Sequence, residues 1–156
     1  MTTTVEARLK ALGLTLPDAP APVANYVPFH IAGNLLFISG QISRAADGSV
    51  MTGKLGSGVD VAGGRAAAKL CALNILSQAR AALGSLDQVA QIVKLTGFVN
   101  AVPAFTEHPQ VVNGASDCLV EVLGDKGRHT RSAVGVGSLP LDAAVEIEAI
   151  IAFTPA

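Results

Sequence analysis

Three charged residues stand where apolar strands are expected. Arg131 lies near the start of 129–136 (HTRSAVGV), a segment otherwise suited to a strand, and Glu146 and Glu148 interrupt 145–153 (VEIEAIIAF). Strand side chains alternate between faces. Val145, Ile147 and Ala149 therefore point one way, and Glu146 and Glu148 the other. Only 15% of the 156 residues are charged, so an Arg and two Glu inside the most apolar stretches point to a polar site rather than a solvated face. A guanidinium offers a rigid fork of donors that fits a carboxylate bidentately. On the residues alone, Arg131 fits equally well a salt bridge to an acidic neighbour at a sheet edge. A carboxylate in a partly dry cleft titrates above its usual range and serves as acid or base. The plainer reading of Glu146 is a carboxylate that pairs with Arg131 or caps backbone amides. Glu148, one pleat along, reads as structural.

Other candidates are single residues with two readings each. Tyr26, the only tyrosine, stands in an extended, proline-flanked segment and either lines a cleft or packs its ring on the domain. Gly40, in the run Ser39-Gly40-Gln41, lets the backbone approach a ligand or simply ends a strand. Asn113, near the start of a predicted helix, is a ligand group or a cap. His30, His108 and His129 lie in distant segments without ligand spacing, so no metal site is expected. His129 would share the strand face of Arg131 and reads as a surface histidine. Gly63-Gly64 lacks the Lys-Ser/Thr of a phosphate loop. Cys71 and Cys118 lack redox or zinc spacing and read as reduced, partly buried thiols in helices.

Hydrophobic periodicity supplies the elements that must position these groups. Residues 3–12 predict a short helix, with Thr3 and Glu6 spaced as a capping box and Val5, Leu9 and Leu12 on one stripe. Three prolines in 13–22 (GLTLPDAPAP) make a linker. Gly33-Asn34 between two apolar runs predicts a hairpin joining strands near 29–31 and 35–39. Residues 45–58, rich in Gly, Ser and Asp, read as a loop. Ala66, Ala67, Leu70, Leu73, Ile75, Leu76, Ala79 and Leu83 lie at helical spacing, which predicts a helix over 60–83 stopped by Gly84. The β-branched run from Gln91 predicts a strand that is over by Pro103. A second helix over 110–123 ends at Gly124, the polar turn DKGRH follows, and two strands close the chain. The order is ββαβαββ after an N-terminal helix, an α+β fold with one sheet and two helices on one face.

Length fits one domain with an adequate core: residues 1–20 form the helix and linker, 21–156 the body. Half of the residues are hydrophobic and 4% aromatic, so apolar side chains are left over for a subunit interface. The 11 basic residues are scattered with no run of three, and the net charge is −1. That excludes the clustered cations nucleic acid demands. No stretch reaches a membrane span or matches a signal peptide, so a cytoplasmic protein without membrane partners is expected.

The run R-S-x-V-x-V-x-x-L-P from Arg131, the V-E-I-E-A that follows, FISGQI at 37–42 and Asn113 together resemble the YjgF/YER057c/UK114 (RidA) family over roughly 21–156. The resemblance implies a chorismate-mutase-like fold, homotrimers with sites in the clefts between subunits, and no cofactor. Its best-known members hydrolyse reactive 2-imino acids to 2-keto acids and ammonia. Carried over by motif, Arg131 grips the carboxylate of a small metabolite, Glu146 activates water, and Ser39, Gly40, Asn113 and Tyr26 line the cleft. Two departures are visible. Tyr26 lies in ANYVP rather than in a G-P-Y context. Ala133 stands where imine deaminases carry a Cys, which reshapes the pocket floor and admits an alternative, a non-catalytic binder or sensor of small carboxylates. The N-terminal helix and linker are additions to the usual chain.

Overall fold

The computed structural model describes residues 2–21 and 24–156, in the order α1 (Val5–Ala11), β1 (Phe29–Ala32), β2 (Leu35–Ile42), β3 (Lys54–Leu55), β4 (Gly58–Val59), α2 (Val61–Leu83), β5 (Val89–Asn100), α3 (His108–Leu123), β6 (Thr130–Val136) and β7 (Val145–Phe153). Pro22, the last proline of the linker, lies outside the described residues. Five strands form one sheet in the order β1-β2-β7-β5-β6. Only β5 and β6 are parallel, joined by the crossover through α3; the other neighbours are antiparallel. The expected ββαβαββ order is that of this sheet. The pair β3–β4 is an addition inside the segment expected to be loop. Glycines at positive φ (Gly53, Gly56 and Gly58) turn the chain there, and Leu55 is driven fully into the core.

Local chemistry explains the element boundaries. Gly33-Asn34 makes the two-residue turn of the β1–β2 hairpin, with Ala32 opposite Leu35. The Asp60 carboxylate accepts from the Gly63 amide at the start of α2, and Gly84 closes it in the left-handed conformation, which costs glycine little. In α1 the cap is Thr4, not Thr3: Thr4 Oγ1 accepts from the Ala7 amide at 3.1 Å. Glu6 is thereby freed from the expected capping box and meets Arg80 at 3.3 Å instead. Leu9 is buried, whereas Leu12 ends the helix exposed. Helix α3 begins two residues earlier than the periodicity suggests, at His108, with Pro109 in its first turn.

Both long helices lie on one face of the sheet. Leu36, Ile38, Leu95, Val99, Ile147 and Ile151 are buried beneath them. Gly114 allows α3 to cross close to α2, since a Cβ there would collide with the Arg65 carbonyl. The N-terminal segment is part of this core. Leu9 and Leu16 are buried in it, each contributing about 1.5–3 kcal/mol by removal from water, and Ser77 Oγ donates to the Pro17 carbonyl. The opposite face is uncovered in the single chain. It carries Leu35, Phe37, Phe98, Val134 and Ile150 around Lys94, Thr96 and Glu148, and Phe37 and Val134 are 40% and 44% exposed.

Candidate functional site

The predicted site residues fall into two separate groups, one around Glu146 at the β2 edge of the sheet and one around Arg131 on β6. The first surrounds a cleft of about 390 Å³ beside β2, where Tyr26, Ser39, Gly40 and Glu146 come together. A bulge makes this possible. Ile38 pairs with Ala149 and Gln41 with Ile147, so Ser39 and Gly40 face Glu148 alone across the ladder. Two residues opposite one re-aim the strand. At Gly40 an added Cβ would sit 2.6 Å from Glu146 Oε1, so the glycine leaves the room in which the carboxylate lies against the strand. Ser39 Oγ donates to the Val27 carbonyl at 2.8 Å, which ties the irregular segment carrying Tyr26 to the cleft wall. Tyr26 is 56% exposed, so its ring lines the cleft instead of packing on the body. Burial, then repulsion from the Glu148 carboxylate, holds the Glu146 carboxyl above the usual carboxylate range. Glu146 pairs with neither Arg131 nor a backbone amide among the described contacts.

The second group lies where α3 covers β6. Arg131 stands opposite Leu95 in the parallel ladder and Ala133 opposite Gly97, so both face the helices. Arg131 Nη1 donates to Ser116 Oγ at 3.0 Å and Nη2 to the Pro109 carbonyl at 3.2 Å. His129 Nδ1 lies 2.6 Å from the Gly127 carbonyl and Nε2 2.9 Å from Ser116 Oγ. A carbonyl only accepts, so Nδ1 carries the proton and Nε2 accepts from the Ser116 hydroxyl. The chain Gly127–His129–Ser116–Arg131 fixes the guanidinium. Desolvation, assisted by the nearby Arg131 charge, lowers the His129 pKa and favours this neutral form. The expected surface histidine is thus half-buried support for Arg131. Asn113 lies inside α3 rather than at its cap, and the N-cap position is Glu107. Its spacing from Pro109 and Ser116 puts it on the stripe that meets Arg131.

Among the described residues Arg131 has no carboxylate partner. The ion pairs among the described residues are Arg65–Asp117, Arg80–Glu6 and Arg128–Asp125, so the sheet-edge salt bridge does not form. Two of the five guanidinium N–H groups are committed, and three remain for a ligand. Glu146, however, is not within reach in the same chain. It stands opposite Phe98, which stands opposite Val134, three residues from Arg131. Two strand spacings and three residues along the strand separate the two Cα atoms by about 14 Å, and the odd offset sends the side chains to opposite faces. A single cleft within one chain holding both residues is therefore ruled out.

Sequence reasoning missed several wall residues. Arg44, Asn74, Gln78 and Leu141 line the Glu146 cleft, and Ser116 orients Arg131. Only Ser116 left a signal, three residues after Asn113 in a predicted helix. Among the described residues no three His, Cys, Asp or Glu side chains gather as metal ligands, and no helix is long and apolar enough to cross a membrane. Cys71 and Cys118 are both buried. Desolvation raises both thiols, Cys118 to about 11.

This arrangement has relatives. The family described as "YjgF/chorismate mutase-like, putative endoribonuclease" matches residues 6–151. The protein TCP17 of Trypanosoma cruzi is 50% identical over 148 residues, covering 94% of this chain and 92% of that protein. The crystal structure of Atu1372 from Agrobacterium tumefaciens superposes with a TM-score of 0.89 at 51% identity, over 97% and 94% of the two chains. TdcF of E. coli, solved with bound serine, gives 0.64 at 26% identity over 90% and 99%. The chain belongs to the YjgF/RidA family.

Proposed function

We propose that the protein is a hydrolytic deaminase of small 2-imino or enamine acids, acting in homotrimers at sites built from two copies. The observation that carries this reading is the half-buried Arg131, which among the described residues keeps three uncommitted N–H donors and no acidic partner. Such a group fits the carboxylate of a substrate. The Glu146 cleft of a neighbouring copy would complete the site, and the uncovered apolar face with Phe37 and Val134 offers a surface for that assembly.

The chemistry follows from these groups. Arg131 holds the carboxylate. Glu146, ionised, accepts a proton from a water poised near the Gly40 backbone while the water oxygen attacks the imine carbon and the C=N pair moves to nitrogen. With the imine entering protonated, this gives a neutral carbinolamine; Glu146 returns its proton to that nitrogen, the C–N bond breaks with its electron pair leaving on ammonia, and the carbonyl forms as the hydroxyl proton passes to the carboxylate of Glu146 and on to solvent. A carboxyl held above its ordinary range suits both transfers. Orientation of water and iminium accounts for the acceleration.

A binding or sensing role is the second reading, favoured by Ala133 at the position of the motif Cys. Release of keto acid from 2-iminobutanoate, generated in situ by a dehydratase, separates the two. Acceleration at micromolar protein supports the enzyme. A thermal shift with 2-ketobutyrate that disappears in Arg131→Ala, without turnover, supports the binder.

A further inference from the structure

Two consecutive residues between β6 and β7 hold the left-handed conformation without being glycine, Leu141 at φ 56° and Asp142 at φ 57°, and no other described non-glycine residue has a positive φ. An L side chain there crowds its own backbone. Glycine, and after it Asn or Asp, is the usual occupant, so Leu141 is the anomaly. The turn is held from outside. The Asp142 carbonyl accepts from the Gly53 amide at 3.0 Å. The fully buried Asn100 donates through Nδ2 to Asp142 Oδ1 at 3.3 Å and to the Ala143 carbonyl at 3.1 Å, and Lys54 Nζ donates to Asn100 Oδ1 at 2.8 Å. None of these bonds uses the Leu141 side chain, which is 66% exposed. A leucine here bears backbone strain and a wetted apolar side chain at once, with no compensating gain inside the single chain, the pattern of a residue kept for function. Its place supplies the gain. Leu141 lines the cleft that holds Gly40 and Glu146. Leu141 and Tyr26, on the wall of the same cleft, are the two most exposed of the described large hydrophobic side chains.

We propose that Leu141 is a specificity-determining residue of this site, packing against the side chain of the bound imino acid. The class it selects is a branched aliphatic side chain. Such a chain covers the exposed leucine and leaves water together with it, a methyl group is too short to do so, and a charged end would lose its hydration against an apolar wall without gaining a partner. A neighbouring copy is the other surface that could cover Leu141. The sheet face with Phe37 and Val134 already offers apolar area for that assembly, whereas Leu141 lies outside the strands, in the cleft of the reacting carboxylate. This assignment rests on the deaminase reading and names the substrate class of the same cleft.

The test compares the imines of leucine and alanine, generated in situ by an amino-acid oxidase, with each rate divided by that of spontaneous hydrolysis. The wild-type protein is expected to favour the leucine imine in kcat/KM by at least about tenfold, the effect of a filled apolar contact. Leu141→Gly and Leu141→Asn both accept the left-handed backbone. They are expected to melt like the wild type and to bring that ratio close to one, and Leu141→Met, similar in volume, to preserve it. A wild-type ratio near one, or a ratio that survives in both Leu141→Gly and Leu141→Asn, overturns the proposal. Loss of the oligomer by both variants in sedimentation makes Leu141 a subunit contact and overturns it too. Thermal shifts with 4-methyl-2-oxopentanoate and pyruvate read the same preference without turnover. A larger shift with the branched acid that is lost in Leu141→Gly supports the assignment whether or not the imines turn over, and equal shifts overturn the Leu141 assignment alone. No turnover of either imine and no shift with either acid overturns the deaminase reading and this one with it.

Discussion

Two inactive variants should restore each other. Arg131 and Glu146 face opposite sides of one sheet, about 14 Å apart at their Cα atoms by standard strand spacing, so the proposed site needs Arg131 of one copy and Glu146 of the next. Arg131→Ala removes the partner of a desolvated carboxylate, a loss of about 2–5 kcal/mol or roughly 30- to 5,000-fold in kcat/KM. Glu146→Gln removes the proton acceptor, typically worth about 100- to 10,000-fold. Equal amounts of the two, unfolded together and refolded, assemble at random. A site is intact when its Arg comes from the Glu146→Gln chain and its Glu from the Arg131→Ala chain, with probability one half for each. About a quarter of wild-type activity per site should return. The assay is keto-acid release, with each variant refolded alone as the blank. Intrachain sites would give no recovery whatever the mixing ratio. A mixture as inactive as its components, shown by two affinity tags to contain mixed oligomers, would refute the composite site and the roles given to both residues.

Three further outcomes follow from the same geometry. Burial holds the Glu146 carboxyl above 4.5, so the folded state keeps its proton where the unfolded chain has lost it. Stability therefore falls as pH rises from about 4.5 through the raised value, and Glu146→Gln should flatten that slope in urea titrations; the acid limb of activity should also lie above pH 4.5. Gly40→Ala puts a methyl 2.6 Å from Glu146 Oε1 and should push that carboxylate aside, read as reduced turnover with little change in melting temperature. Val134→Glu on the uncovered face should shift sedimentation toward the monomer and abolish activity while leaving the circular dichroism of the fold intact.

The long elements were legible because their signals are local. Alternation in 145–153, helical spacing across 60–83 and the stop at Gly84 need no tertiary information, and the structure keeps them. Boundaries set by a single hydrogen bond were not legible. Thr3 and Thr4 are equivalent in sequence until the helix start chooses Thr4. The pair β3–β4 depends on Leu55 finding a place in the core, which composition alone does not reveal. The site was readable as a set of residue types but not as a place. Parity along β7 fixed the face of Glu146, yet only the parallel pairing of β5 with β6, seen in the ladder Leu95–Arg131, shows Arg131 turned the other way. Gln78 was invisible for a related reason. A glutamine in a long helix reads as solvated surface, and its burial depends on how α2 is rotated and on the linker laid across it.

That linker gives the family fold an adjustable boundary. Pro20 and Ala21 wall the chamber from outside the sheet, tethered through Leu16 in the core and the Ser77 bond to Pro17. Exchanging a few residues in this strap would resize the far end of the chamber while every strand pairing stays in place, so its shape can change without disturbing Gly40 or Glu146.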